Sequence, residues 1–175
     1  MKPIKYLFFM MFALVALASC DTYGDYDQEF SPTYPLGGQY YVKVYDSNNQ
    51  EMPMHTASGS NVYGTYLYLY NTADNDKDKL WIKLPSDILF DAGILGKISC
   101  DVNARTFSGT AGNLEADGNT VVGEFTVTSG LMTEQGATTP SNGKADAIEV
   151  KYTLNGKTYT VKGFRWTGWP EDEVW

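Results

Sequence analysis

Side-chain polarity along most of the chain alternates with a period of two, the signature of half-buried β-strands. Residues 38–45 set Tyr40, Val42 and Val44 against Tyr41, Lys43 and Tyr45, then break at Asp46-Ser47-Asn48-Asn49. The run 64–70 is the most β-prone, with Tyr66, Tyr68 and Tyr70 opposing Thr65, Leu67 and Leu69. Both of its faces are largely apolar, so one belongs to a core and the other meets a ligand, a loop or a partner. Residues 80–84 oppose Leu80, Ile82 and Leu84 to Trp81 and Lys83. Strands are also expected at 97–102 and 105–108 around a turn at Asn103-Ala104, at 120–128 with Val121, Gly123, Phe125 and Val127 inward, and as a short extension at 131–133. Residues 146–154 place Ile148, Val150, Tyr152 and Leu154 on one face, and Asn155-Gly156 is a two-residue hairpin turn into the last strand. That strand carries Tyr159, Val161, Gly163 and Arg165 on one face and Thr158, Thr160, Lys162, Phe164 and Trp166 on the other. It ends in an aromatic and acidic cap, 166–173, that no solvated tail would need.

Two stretches break the alternation. Residues 51–59 are irregular and hold Pro53 and the only histidine, His55; 85–93 reads as one helical turn or a lid, too short for a stable helix by itself. With about eight or nine strands, hairpin turns and no convincing amphipathic helix, the domain is expected to be all-β, a sandwich or an up-and-down antiparallel barrel. The last strand is expected to close a barrel, which at about eight strands can hold one small ligand.

The first residues follow a different logic. Lys2 and Lys5 precede an apolar run from Tyr6 to Ala16, and Leu17-Ala18-Ser19-Cys20 ends it. The run is short for a spanning helix, which needs about 20 apolar residues, and fits a cleaved export signal. Its final tetrad resembles a bacterial lipobox, which implies cleavage before Cys20 and acylation of that thiol. The expected organisation is a signal peptide over 1–19, a lipidated tether rich in Asp, Gly, Ser and Pro over 20–35, and a barrel domain over 36–175. The expected address is the bacterial cell envelope, at the outer membrane.

Charge narrows the partners. The formal net charge of −8 becomes −10 once Lys2 and Lys5 are removed with the signal. Such a surface repels phosphate backbones and anionic headgroups, so nucleic acid is excluded as a partner and membrane attachment falls to the lipid. Cys100 remains as the only other cysteine and reads as a small core residue.

Three segments carry a family resemblance: 70–82 (Tyr-Asn-Thr-Ala-Asp-Asn-Asp-Lys-Asp-Lys-Leu-Trp-Ile), 102–109 (Val-Asn-Ala-Arg-Thr-Phe-Ser-Gly) and above all 163–173 (Gly-Phe-Arg-Trp-Thr-Gly-Trp-Pro-Glu-Asp-Glu). They resemble the bacterial lipoproteins called lipid-binding putative hydrolases, which implies a lipocalin-like, calycin-type barrel and a lipid-binding role. The hydrolase part of that name comes with no catalytic motif on these residues. Lipocalins also open with Gly-x-Trp, whose ring packs under an arginine from near the barrel's end. Gly38-Gln39-Tyr40 is similar, with tyrosine in the tryptophan's place and Arg165 as its partner. An arginine on an inward face must stack on a ring or donate to carbonyls at a barrel end; the competing role is to hold a ligand carboxylate.

Other chemistry is thin. Ser-His-Asp catalysis would need His55, and no Gly-x-Ser-x-Gly elbow occurs. One histidine and one cysteine cannot build a zinc site. Asp74, Asp76 and Asp78 copy half a calcium loop, but Lys79 and Pro85 stand where its glycine and glutamate belong. No metal, cofactor or catalytic residue is assigned. The candidate ligand-contacting residues are Tyr66, Tyr68, Trp81, Phe125, Arg165, Trp166 and Trp169, for a small hydrophobic or lipid-like ligand in the barrel. The alternatives are a hydrolase using carboxylates among Asp101, Glu124, Asp146 and Glu149, and a glycan-binding or interaction component that uses the aromatic rings as a platform.

Overall fold

Alternation is realised as ten strands in the computed structural model, which describes residues 29–173. The signal segment, Cys20 and most of the expected tether lie outside the described residues, and the compact unit begins at Ser31. In chain order the strands are β1 (Gly38–Tyr45), β2 (His55–Ala57), β3 (Ser60–Val62), β4 (Gly64–Asn71), β5 (Lys79–Leu84), β6 (Ile94–Asp101), β7 (Thr106–Leu114), β8 (Val121–Thr138), β9 (Lys144–Leu154) and β10 (Lys157–Arg165). Eight of them form a closed barrel in the order β1-β10-β9-β8-β7-β6-β5-β4, and β2 and β3 make a separate small hairpin. Every ladder is antiparallel, and β1 closes the ring by pairing β10 on one side and β4 on the other.

Three differences from the sequence expectation have physical causes. The break at Ser129-Gly130 does not end a strand: β8 runs 18 residues through register shifts between Val127 and Ser129 and between Thr133 and Ala137. Such bulges bend a strand without ending its pairing. The irregular 51–59 contributes the β2–β3 hairpin, in which His55 pairs with Val62. Segment 85–93 forms no helix; Asp87 and Phe90 exchange backbone hydrogen bonds in a tight turn whose Phe90 is fully buried.

The lumen is filled by the protein's own side chains. Inward residues such as Tyr40, Leu67, Ile82, Phe125, Val150 and Tyr152 are at most 1 % exposed, so no room remains beside them for a guest. An eight-stranded barrel is just wide enough for side chains to close it, and here large rings lie over glycines on other strands. A Cβ on Gly96 would lie 2.7 Å from the Phe125 ring, and one on Gly130 would collide with Phe107.

Both ends are plugged as well. At the entry end, where the chain passes from 31–37 into β1, Leu36 is buried and its carbonyl accepts from the Tyr40 hydroxyl at 2.8 Å. At the far end, where β9 turns into β10, the Tyr152 hydroxyl donates to Ala92 O at 2.7 Å and Phe90 packs edge-on against Tyr159. Leu89 N donates to Met54 O at 2.8 Å, joining loop 85–93 to the chain beside β2. Burial pushes the Tyr40 phenol up to about 12, with Arg165 pulling it partly back, so both lumen tyrosines stay neutral donors.

Arg165 locks the entry end. Its guanidinium lies 5.0 Å from the Tyr40 ring centroid, the stacking that Gly38-Gln39-Tyr40 suggests in sequence. Nε donates to Asp146 at 2.9 Å, Nη2 to Pro35 O at 2.9 Å, and Nη1 to Gly37 O. Gly38 makes room: its φ of +144° disfavours other residues, and a Cβ there would sit 2.5 Å from Nη1. Arg165→Met strands a carboxylate and two carbonyls that the native fold satisfies together. Denaturant unfolding is expected to show a loss of about 2–3 kcal/mol, with Arg165→Lys restoring only a minor part; a variant within about 0.5 kcal/mol of wild type would show that the lock is dispensable.

Candidate functional site

Alternation on β4 sends Leu67 and Leu69 into the core and Tyr66, Tyr68 and Tyr70 to the outer wall. The candidate aromatics therefore do not converge on the lumen. Tyr66 meets Tyr41 edge-on at 6.0 Å, Tyr68 at 6.4 Å and Trp166 at 6.4 Å. Trp81 stacks on Tyr70 at 6.2 Å, and Lys97 covers it from the next strand at 5.6 Å. Phe125 is the one candidate ring inside the barrel, buried against Gly96. Trp166 and Trp169 are 43 % and 63 % exposed, and only Tyr68 and Arg165 of the seven candidates line a common cleft.

The C-terminal motif is a strap across the outer wall. Trp166 N donates to Gln39 O at 2.8 Å, and its indole Nε1 donates to Glu173 at 2.6 Å. Tyr66 also bonds Glu173, and burial followed by that carboxylate pushes its phenol up to about 12. A 3-10 turn at Pro170–Asp172 brings Asp172 under the β8–β9 loop, where it accepts from Ser141 N at 2.8 Å and Thr167 Oγ1 at 2.6 Å. Asp172 is 1 % exposed, and nothing in a Pro-Glu-Asp-Glu tail separates it in sequence from its exposed neighbour Glu171.

Three clefts indent the described surface near the candidates. At the far end a cleft of about 580 Å³ lies among Leu84, Ile94, Leu95, Leu114, Val122 and Leu154, with Lys83, Ser86, Asp91, Asn113, Glu115 and Asn155 as its polar and charged members. It lies beside the irregular end of the β6–β7–β8 ladders. The register between β6 and β7 covers only three pairs, ending at Ser99 with Ser108, and β7 slips against β8 between Asn113 and Leu114. Asn113 replaces the missing ladder bonds, accepting from Leu95 N at 2.8 Å and donating to Gly93 O at 3.1 Å. Val121 and Val122 are 63 % and 56 % exposed, and Ile88 and Leu89 at the tip of loop 85–93 are 88 % and 44 % exposed. Sequence reasoning expected a possible lid in that loop but missed the cleft, because the point where a ladder stops has no local signal.

At the entry end, a cleft of about 510 Å³ runs between 31–38 and the end of β4, and one of about 400 Å³ lies among Arg105, Glu134, Asp146 and Arg165. Both carboxylates of the latter are held by arginines, Glu134 by Arg105 at 2.7 Å and Asp146 by Arg165. Glu149 lies between Lys151 and Lys162, and Asp101 accepts from Ala104 N in its turn. Asp146 is the only one of the four candidate carboxylates that lines these three clefts. His55 Nδ1 lies 3.1 Å from Asp87 and fastens the β2–β3 hairpin to loop 85–93. Among the described residues, no group of three or more His, Cys, Asp or Glu is arranged to hold a metal ion.

A closed eight-stranded antiparallel meander with an arginine lock on a first-strand aromatic defines a calycin-type barrel. Residues 25–170 match the model of the lipid-binding putative hydrolase family, and the chain belongs to that family. No curated protein matches the chain.

Asp172 sets a pH dependence for the strap. Burial by itself would raise its pKa, but hydrogen bonds from Thr167, Ser141 and Thr139 outweigh it and hold the carboxyl at about 2. In the unfolded chain the same group titrates near about 3.9. Because the folded value is the lower one, the contribution is complete above about pH 4 and disappears as pH falls toward about 2. Asp172→Asn is expected to melt earlier at neutral pH and to lose less stability on acidification through that window, as read by thermal unfolding across pH. Parallel profiles for variant and wild type would remove Asp172 from this role.

Proposed function

We propose that this protein is an outer-membrane lipoprotein of the bacterial envelope, acylated at Cys20, that holds a small hydrophobic or lipid-like molecule at the far end of its barrel. Membership of a lipid-binding family supports the ligand class. The far-end cleft supports the place: with the lumen filled, it offers aliphatic walls, a few polar groups and an exposed aliphatic rim in one region. Its volume of about 580 Å³ falls within the usual range for small-molecule sites, about 300–1,000 Å³. An acyl chain laid on Leu114, Val122 and Leu154 gains about 0.8 kcal/mol per buried methylene, while Lys83 in the lining is placed to meet a polar head. No bond-making step is required of the protein.

Two measurements test this reading. In cells fed labelled palmitate, the wild type is expected to incorporate label and fractionate with membranes, and Cys20→Ala to do neither; label retained by the variant refutes the anchor. In titrations with a fluorescent fatty acid, Val122→Glu should weaken binding by roughly tenfold at unchanged melting temperature, since Val122 is largely exposed and burying a charge beside an acyl chain is costly. Equal affinity in variant and wild type removes the ligand from this cleft.

A further inference from the structure

The cleft at the entry end differs in chemistry from the one at the far end, and we infer that it is a separate binding site for a neutral saccharide. Its walls are the rings of Tyr34, Tyr68 and Tyr70, with Ser31 and Asn71 beside them. Tyrosine presents an apolar ring face together with a hydroxyl that donates and accepts, which suits a pyranose ring with its C–H face and equatorial hydroxyls. Asn71 spends its Nδ2 on Thr72 O and Asn75, so its amide oxygen is the acceptor that remains for a ligand.

Charge selects a neutral guest. Among the described residues the only charged side chain lining the cleft is Arg165; it is ion-paired with Asp146 at 2.9 Å and spends three of its five N–H donors on Asp146, Gly37 O and Pro35 O. A carboxylate or phosphate would find there only a cation already paired with Asp146 and would approach a chain of net charge −8. A cationic guest would find no carboxylate among the described residues of the lining. The shape argues against an acyl chain: Tyr34 and Tyr70 are 53 % and 41 % exposed, so the groove is open and an alkyl guest would keep much of its surface in water. A sugar keeps its outer hydroxyls hydrated at no cost, and an open groove lets a longer chain run through.

Native affinity electrophoresis of the full-length protein through gels containing xylan, glucomannan, laminarin or mannan tests the inference, with alginate and dextran sulfate as anionic counterparts. Retardation is expected in at least one neutral gel and in neither anionic one. Tyr68→Ala and Tyr70→Ala should each weaken it about 3–10-fold, the contribution of one aromatic face. Tyr68→Phe serves as the folding control and should keep most of the retardation. Val122→Glu should bind sugar as wild type does, which separates this site from the acyl cleft: failure of one leaves the other standing. Unretarded migration in every neutral gel, retardation only in the anionic gels, or full retardation of both alanine variants overturns the proposal.

Discussion

The entry end depends on one cation being satisfied from four directions. Arg165 stacks on Tyr40, pairs with Asp146 and donates to the carbonyls of Pro35 and Gly37, so a single guanidinium joins β1, β9, β10 and the segment that plugs the barrel. A planar fork with fixed donors can do this, and a point-charge ammonium cannot. The same commitment leaves the adjoining cleft without electrostatic demand, so a structural lock becomes a determinant of what that cleft can accept.

Filling the lumen has a consequence for function. An eight-stranded ring offers either a small cavity or a packed core, and the rings of Phe107, Phe125, Tyr40 and Tyr152 take the second course. Binding then moves to the ends and the outer wall. There the strand pattern leaves two unlike surfaces: aliphatic where the β6–β7 ladder stops, tyrosine-lined where β4 emerges beside the N-terminal segment. The strap of 166–173 covers part of the outer aromatic wall by bonding Trp166 and Tyr66 through Glu173, so those two rings are largely spent on the fold.

Strand identity and facing were legible because period-two alternation is local. Tyr40, Val42 and Val44, Leu67 and Leu69, or Tyr159 and Val161 each declare a face within a few residues, and Asn155-Gly156 declares its turn. The Tyr40–Arg165 pair was suggested by the resemblance of Gly38-Gln39-Tyr40 to the lipocalin opening; the pattern alone required of Arg165 only a ring, backbone carbonyls or a ligand carboxylate. Less was readable where long-range registration decides. The continuity of β8 through its bulges and the burial of Asp172 rest on partners far away in the chain.

The sequence by itself therefore determined an antiparallel β architecture and most inward faces, because backbone pleating ties side-chain direction to the nearest neighbours; the exceptions are Val121 and Gly123, expected inward but exposed near the far end, where β7 slips against β8 between Asn113 and Leu114. Only the tertiary structure decided that the lumen is full and that the clefts lie outside it. Cavity space is the difference between the room a closed ring encloses and the side chains all its walls send in, and that quantity exists only once the ring has closed.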